Sequence, residues 1–245
     1  MKQYTLKQLS NINSLVVDMI SFYFVVTCLV KPSSNRKTGF VIQTYFIDKS
    51  RLTNQPKVFG SKCHNCSAVE YCYVTRDKMS VRKALTKLIG GENTSYKLVS
   101  FEQAIQAIKM SRNTSIRIGT YGDPSIMSID DLIKICLAKK QLSYTHFWQD
   151  ESLQDLKKIC MASTANMIED LEAKALGWRT FRVRLTKDAP VLPTAIQCPY
   201  ESKNIQCVKC NLCNGIALDD KRKNVSDIWV YGHGSSHKKI YGGIK

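Results

Sequence analysis

From Phe40 to Leu185 the chain alternates short β-branched or aromatic runs with capped helical stretches, and few folds accept that rhythm. Phe40 to Ile47 reads as a strand. Ser80 then caps a helix that stops at Gly90-Gly91, and Tyr96 to Val99 is the next strand. Ser100 with Gln103 makes a capping box for a further helix. The strand Ile116 to Gly119, the turn Tyr121-Gly122-Asp123-Pro124 and a helix capped at Ser128 follow. Leu142 to His146 and Ile159 to Ser163 are strands on either side of a short helix near Ser152 to Lys157. A helix from about Asn166 to Leu176 stops at Gly177, and Trp178 to Leu185 returns to strand. Such spacing predicts an α/β fold, either a partial (βα)6-type barrel or a parallel sheet. Residues 1–34 then form an N-terminal strand extension, 35–190 the barrel-like domain and 191–245 a C-terminal cysteine-rich, metal-binding segment.

Ser14 to Val30 is apolar enough to compare with a membrane span, which needs at least about 17 residues. Asp18 interrupts it, and its Val, Phe, Tyr and Thr content suits buried strand. No early apolar leader is visible, so a cytoplasmic protein with no membrane partner is expected. The net charge of +16 calls for an anionic partner, of which nucleic acid is the leading class. Lys37-Thr38-Gly39 lacks the upstream glycine and following helix of a phosphate-binding P-loop.

Seven of the ten cysteines carry the chemistry. Cys63, Cys66 and Cys72 follow the first strand of the series, and three clustered thiols are one short of a closed tetrahedral site. An open-site 4Fe–4S cluster fits that deficit. Cys198, Cys207, Cys210 and Cys213 form a second group whose C-x2-C-x2-C core and fourth thiol complete a site, either a second cluster or zinc. Cys198 could instead complete the first group. Cys28, Cys136 and Cys160 lie in apolar contexts and read as packing residues.

Ligands of parallel sheets gather at the carboxyl ends of the strands. Asp123 and His146 fall there, and each also has an ordinary reading, as a turn residue and a packing histidine. His233, between two glycines after the last strand, Asp227 to Tyr231, is the third candidate catalytic group.

The succession Lys37-Thr38-Gly39, C-x2-C-x5-C-Tyr from Cys63 to Tyr73, Arg117 with Gly122-Asp123-Pro124, Tyr144-Thr145-His146, the Cys198-Pro199 and C-x2-C-x2-C group and His233-Gly234 resembles a family of uncharacterised phage and prophage proteins. That resemblance implies a phage protein working in the cytoplasm of a host bacterium. Members are sometimes labelled rolling-circle replication initiators, a role for which Tyr121 or Tyr144 would be the nucleophile. No two of the four histidines here have the His-hydrophobic-His spacing of such initiators. A cysteine triad after the first strand of a six-unit βα barrel also resembles radical S-adenosylmethionine enzymes, which implies S-adenosylmethionine as a second cofactor. The triad is spaced C-x2-C-x5-C, where those enzymes use C-x3-C-x2-C. The expectation is therefore an iron–sulfur protein acting on nucleic acid or another anion. Its rival is a zinc-stabilised nucleic-acid-binding protein without catalysis.

Overall fold

The computed structural model describes residues 3–33, 35–49, 80–215 and 226–232. They form an α/β structure around a mostly parallel ten-stranded sheet. Its strands are β1 (Ser14–Asp18), β2 (Phe22–Thr27), β3 (Ile42–Asp48), β4 (Tyr96–Val99), β5 (Ser115–Tyr121), β6 (Lys140–Thr145), β7 (Met161–Thr164), β8 (Thr180–Arg184), β9 (Ile196–Gln197) and β10 (Ile228–Tyr231). The order across the sheet is β4-β1-β2-β3-β5-β6-β7-β8-β10-β9. Only the β1–β2 and β2–β3 pairs are antiparallel.

The apolar run after Ser14 is thus a hairpin and not a helix, because every side chain of β1 except Asp18 is buried and β2 is buried nearly throughout. Strands covered on both faces need no polar alternation. No helix among the described residues is long and apolar enough to cross a membrane.

Between β3 and β10 the strands β3, β5, β6, β7, β8 and β10 lie side by side in chain order. Four of the helices between them pack on one face. They are α3 (Phe101–Met110), α4 (Ile129–Ala138) and α5 (Met167–Ala175), with a 3-10 helix over Glu151–Lys158. Ala104, Ile108, Leu132, Ile135, Leu156 and Ala173 from these helices share one core with Ile42, Ile116, Ile118 and Ala162 of the sheet. The expected capping box is present: Ser100 accepts from the Gln103 amide while Gln103 accepts from the Ser100 amide. Ser128 caps α4 with its hydroxyl, which accepts from the Asp131 amide at 3.2 Å.

One strand departs from the expected succession. Tyr96 to Val99 forms as β4 but joins the far edge, parallel to β1, so that β3 and β5 become direct neighbours. Val99 enters the helix-side core there, and Tyr96 and Leu98 turn to the opposite face.

That opposite face is covered in two places. At one end α2 (Ser80–Ile89) buries Val81 and Leu85 against Val16, Val25 and Ile47. At the other, α6 (Pro199–Lys203), α7 (Cys207–Cys210) and the residues after them cover Val41, Leu142, Met161, Ile228 and Val230. A short N-terminal helix, α1 (Leu6–Leu9), packs on α3.

Candidate functional site

Three places gather chemistry-bearing side chains, and each depends on contacts distant in sequence.

The first is the carboxyl end of β5 and β6. Gly122 has φ +76°, and a Cβ there would lie 2.5 Å from the Phe46 carbonyl oxygen, so the turn can pass this close to β3 only as glycine. The turn delivers Asp123, whose Oδ1 accepts from the Ser125 amide at 3.0 Å and from the Thr145 hydroxyl at 2.8 Å. Its Oδ2 accepts from the His146 amide at 2.9 Å and lies 3.8 Å from His146 Nδ1. Burial opposes the charged form, but the hydrogen bond and charge of His146, with the amides of His146 and Ser125, hold the carboxyl below its ordinary value. The Asp123 side chain is 7% exposed and that of His146 29%, so the imidazole is the member that solvent or a substrate can reach. The structure brings two of the expected catalytic residues together and separates their roles. Asp123 ties the β5 turn to the end of β6 and orients His146.

The second lies on the sheet face between α2 and the cysteine segment. Gln43 of β3 accepts from the Thr120 hydroxyl at 2.7 Å through Oε1. Arg117 of β5 pairs with Gln43 on one side and with Leu142 on the other. Its charge reaches both Tyr144 and Cys207. Tyr144 packs its ring 4.1 Å from that of Phe181. Burial first, then nearby Cys213, raises its hydroxyl well above the usual phenol range, so Tyr144 is a neutral packing and hydrogen-bonding group here.

The third is the C-terminal cysteine group. Cys198 and Cys213 are buried, Cys207 and Cys210 half-buried, and Cys207 and Cys213 each lie close enough to the other three to feel them electrostatically. Burial pushes the Cys213 thiol up to about 12, partly offset by a hydrogen bond from Tyr144. Burial also raises Cys207, against the pull of Lys37 and Arg117. Among the described residues no three His, Cys, Asp or Glu side chains are gathered tightly enough to hold a metal ion. The donor set is nevertheless soft and sulfur-only, the kind that zinc and iron–sulfur centres take.

What converges these thiols is long-range docking. The amides of Cys207 and Val208 donate to the carbonyls of Lys37 and Thr38 at 3.0 and 3.1 Å, so α7 sits on the loop before β3. Further on, the Ser143 amide donates to the Cys213 carbonyl and the Gly215 amide to the Ile159 carbonyl, both at 2.9 Å. Residues 213–215 thereby wedge between β6 and the start of β7. A Cβ on Gly215 would meet Ile159 N and Lys157 O at 2.4 Å, so only glycine passes.

Arg179 clamps this wedge from below. Its guanidinium donates to the carbonyls of Leu212, Asn214, Gly215 and Ser226 and to the Asn214 side chain, at 2.5 to 3.4 Å. Sequence reasoning passes over Arg179. Three arginines within one short strand run, Arg179, Arg182 and Arg184, are the signal that points to it, since so many cations in a buried strand require partners. Arg182 has one in Asp170 at 2.7 Å, itself bonded by the Thr164 hydroxyl at 2.6 Å.

Cys63, Cys66, Cys72 and His233 lie outside the described residues. Cys160 packs as expected, fully buried with its sulfur 3.1 Å from the Ser143 hydroxyl. Cys28 and Cys136 are half-buried, and Cys28 takes a left-handed conformation (φ 61°) in the turn after β2.

No family model, curated protein or solved structure matches this chain.

Proposed function

We propose that the chain is a phage-encoded, cytoplasmic iron–sulfur protein with a radical-S-adenosylmethionine-like layout, acting on nucleic acid or another anionic substrate. One observation carries the reading. Strands β3, β5, β6, β7, β8 and β10 are parallel and lie in chain order, with α3, α4, α5 and the 3-10 helix on one face, a winding that a partial (βα)6 barrel shares with an open parallel sheet. The segment bearing Cys63, Cys66 and Cys72 departs from the carboxyl end of the first strand of that series, β3, where the ligands of such sheets collect. An open-site 4Fe–4S cluster on these three thiols would supply one-electron chemistry, with S-adenosylmethionine as the cofactor of the radical reading. The chain's own contribution is His146, oriented by Asp123, as a proton-handling group at the same carboxyl ends.

A second reading has its own support. Cys198 and Cys213 are packed within an apolar cluster, with Cys207 against it, in a segment wedged into the sheet, which suits a closed structural site better than a reactive one. Cys198, Cys207, Cys210 and Cys213 would hold zinc, and the protein would bind nucleic acid without catalysis.

Anaerobic purification followed by iron, sulfide and zinc analysis of the wild type, Cys72→Ala and Cys210→Ala separates the two. The leading reading expects iron and sulfide in the wild type, and in Cys72→Ala a folded protein that has lost cluster content. Cys210→Ala should instead lower the melting temperature and expose the C-terminal segment to protease, because metal binding energy is also folding energy. Stoichiometric zinc with no iron in colourless wild-type protein would refute the iron–sulfur reading and leave the structural-zinc one.

A further inference from the structure

The +16 charge asks for an anion but does not say where on the surface it lands. One place combines cation and ring. On the helix side of β8 and β10, Arg184 is aligned with Tyr231, and Arg182 with Trp229. α5 packs on β7 and β8, and Arg182 is buried there against Asp170. From there the cover thins: Trp229 of that pair, and Arg184 and Tyr231 of the next, are partly exposed.

Their arrangement is specific. The Arg184 guanidinium lies 4.6 Å from the Trp229 ring centroid and 5.3 Å from that of Tyr231, and the two rings meet edge-on at 5.2 Å. The guanidinium also donates to the Lys187 carbonyl, which anchors it beside the rings. The backbone beneath is fixed as well. The Gly232 amide donates to the Arg184 carbonyl at 2.8 Å, the Cys198 amide to the Trp229 carbonyl at 2.8 Å, and the Tyr231 amide to Glu201 Oε2 at 3.1 Å.

We infer that Arg184, Trp229 and Tyr231 form a stacking surface for single-stranded nucleic acid, a placement that rests on the nucleic-acid partner proposed above. Rigid aromatic and guanidinium planes stack on unpaired bases whatever their sequence, and the cation meets the adjoining phosphate. A duplex offers no free base faces to such a patch.

The protein carries its own probe. Of the three tryptophans, Trp148 and Trp178 are 2% and 1% exposed, so only Trp229 can report contact at the surface. Titration of the full chain at low salt with an oligothymidylate of about 12 nucleotides, and with the matching oligouridylate, should quench tryptophan fluorescence. A duplex of the same length should bind more weakly. Arg184→Lys keeps the charge and removes the plane, and it should weaken single-strand binding roughly five- to a hundredfold with an unchanged salt slope. Trp229→Leu should abolish the quench, and a thermal melt of each variant shows that it is folded. If Trp229→Leu fails that melt, Arg184→Lys alone decides. Should the wild type bind oligonucleotide without quenching, and Arg184→Lys bind as tightly as wild type, the surface lies elsewhere and the nucleic-acid partner survives. Equal affinity for duplex and single strand overturns the stacking surface in the same way. Absence of any binding at low salt overturns both.

Discussion

Replacing Arg179 by Ala tests whether the C-terminal cysteine segment is held by the sheet or merely lies on it. The guanidinium makes four contacts of 2.9 Å or less to Leu212, Asn214 and Ser226, and it is 5% exposed. A hydrogen bond to a charged group contributes about 1.5–3 kcal/mol, and a buried carbonyl left without a donor costs about 1–3 kcal/mol. These contributions share one cation and overlap, and water can enter once the side chain is gone. The expected loss is therefore about 3–5 kcal/mol, a large part of the roughly 5–15 kcal/mol that holds a typical domain together. At about 2–4 °C per kcal/mol for a chain of this size, the melting midpoint should fall by roughly 6–20 °C. Limited proteolysis should show early cleavage between Asn204 and Ser226, before the sheet itself is cut. Arg179→Lys, which keeps the charge but cannot span both the Leu212 and Ser226 carbonyls, should fall between wild type and Ala. An Arg179→Ala protein that melts within about 1 °C of wild type, with an unchanged digestion pattern, would refute the clamp.

Two further outcomes follow from the same contacts. Gly215→Ala should destabilise at least as much as loss of one buried ladder bond, about 1–3 kcal/mol by chemical denaturation, because its Cβ meets backbone atoms at 2.4 Å that cannot swing aside; a neutral substitution would mean that 213–215 do not wedge between β6 and β7. Asp123→Asn should lose about 1–3 kcal/mol at neutral pH if its amide nitrogen turns toward the His146 amide. The sign with pH is set by a lowered carboxyl: its stabilisation is present above the unfolded value of about 3.9 and is lost as pH falls through the folded value. The gap between wild type and Asp123→Asn should accordingly narrow below about pH 4 in urea melts, and a gap that stays constant would remove the carboxylate from the account.

The parts of this protein that read directly from the chain are those whose causes are local. Ser100, Gln103 and Ser128 cap helices where they stand because a hydroxyl or amide three residues from an unpaired N–H is enough. Tyr96 to Val99 is a strand by its own composition, yet nothing in those four residues tells that they pair with β1 instead of following β3, since β pairing is decided by which apolar edge remains open. The candidate site divides in the same way. Asp123 and His146 are visible at strand ends, but their distribution of work, with one carboxylate bonding a turn, a hydroxyl and an amide, appears only when β5 and β6 are side by side.

By itself, then, the sequence determined the α/β rhythm, the caps of α3 and α4 and the excess of positive charge, all of which follow from composition or from neighbours within a few residues. Tertiary structure alone decided that Cys207 docks on the loop at Lys37, that Gly215 passes between β6 and β7, and that Arg179 ties both the wedge and Ser226 to β8. Arg184 likewise becomes a partner of Trp229 and Tyr231 only through the parallel pairing of β8 with β10. The physical reason is common to all four. A buried cation, an amide or a glycine is satisfied by whatever the folded sheet brings within hydrogen-bond reach, and that partner stands anywhere from three residues to more than a hundred along the chain.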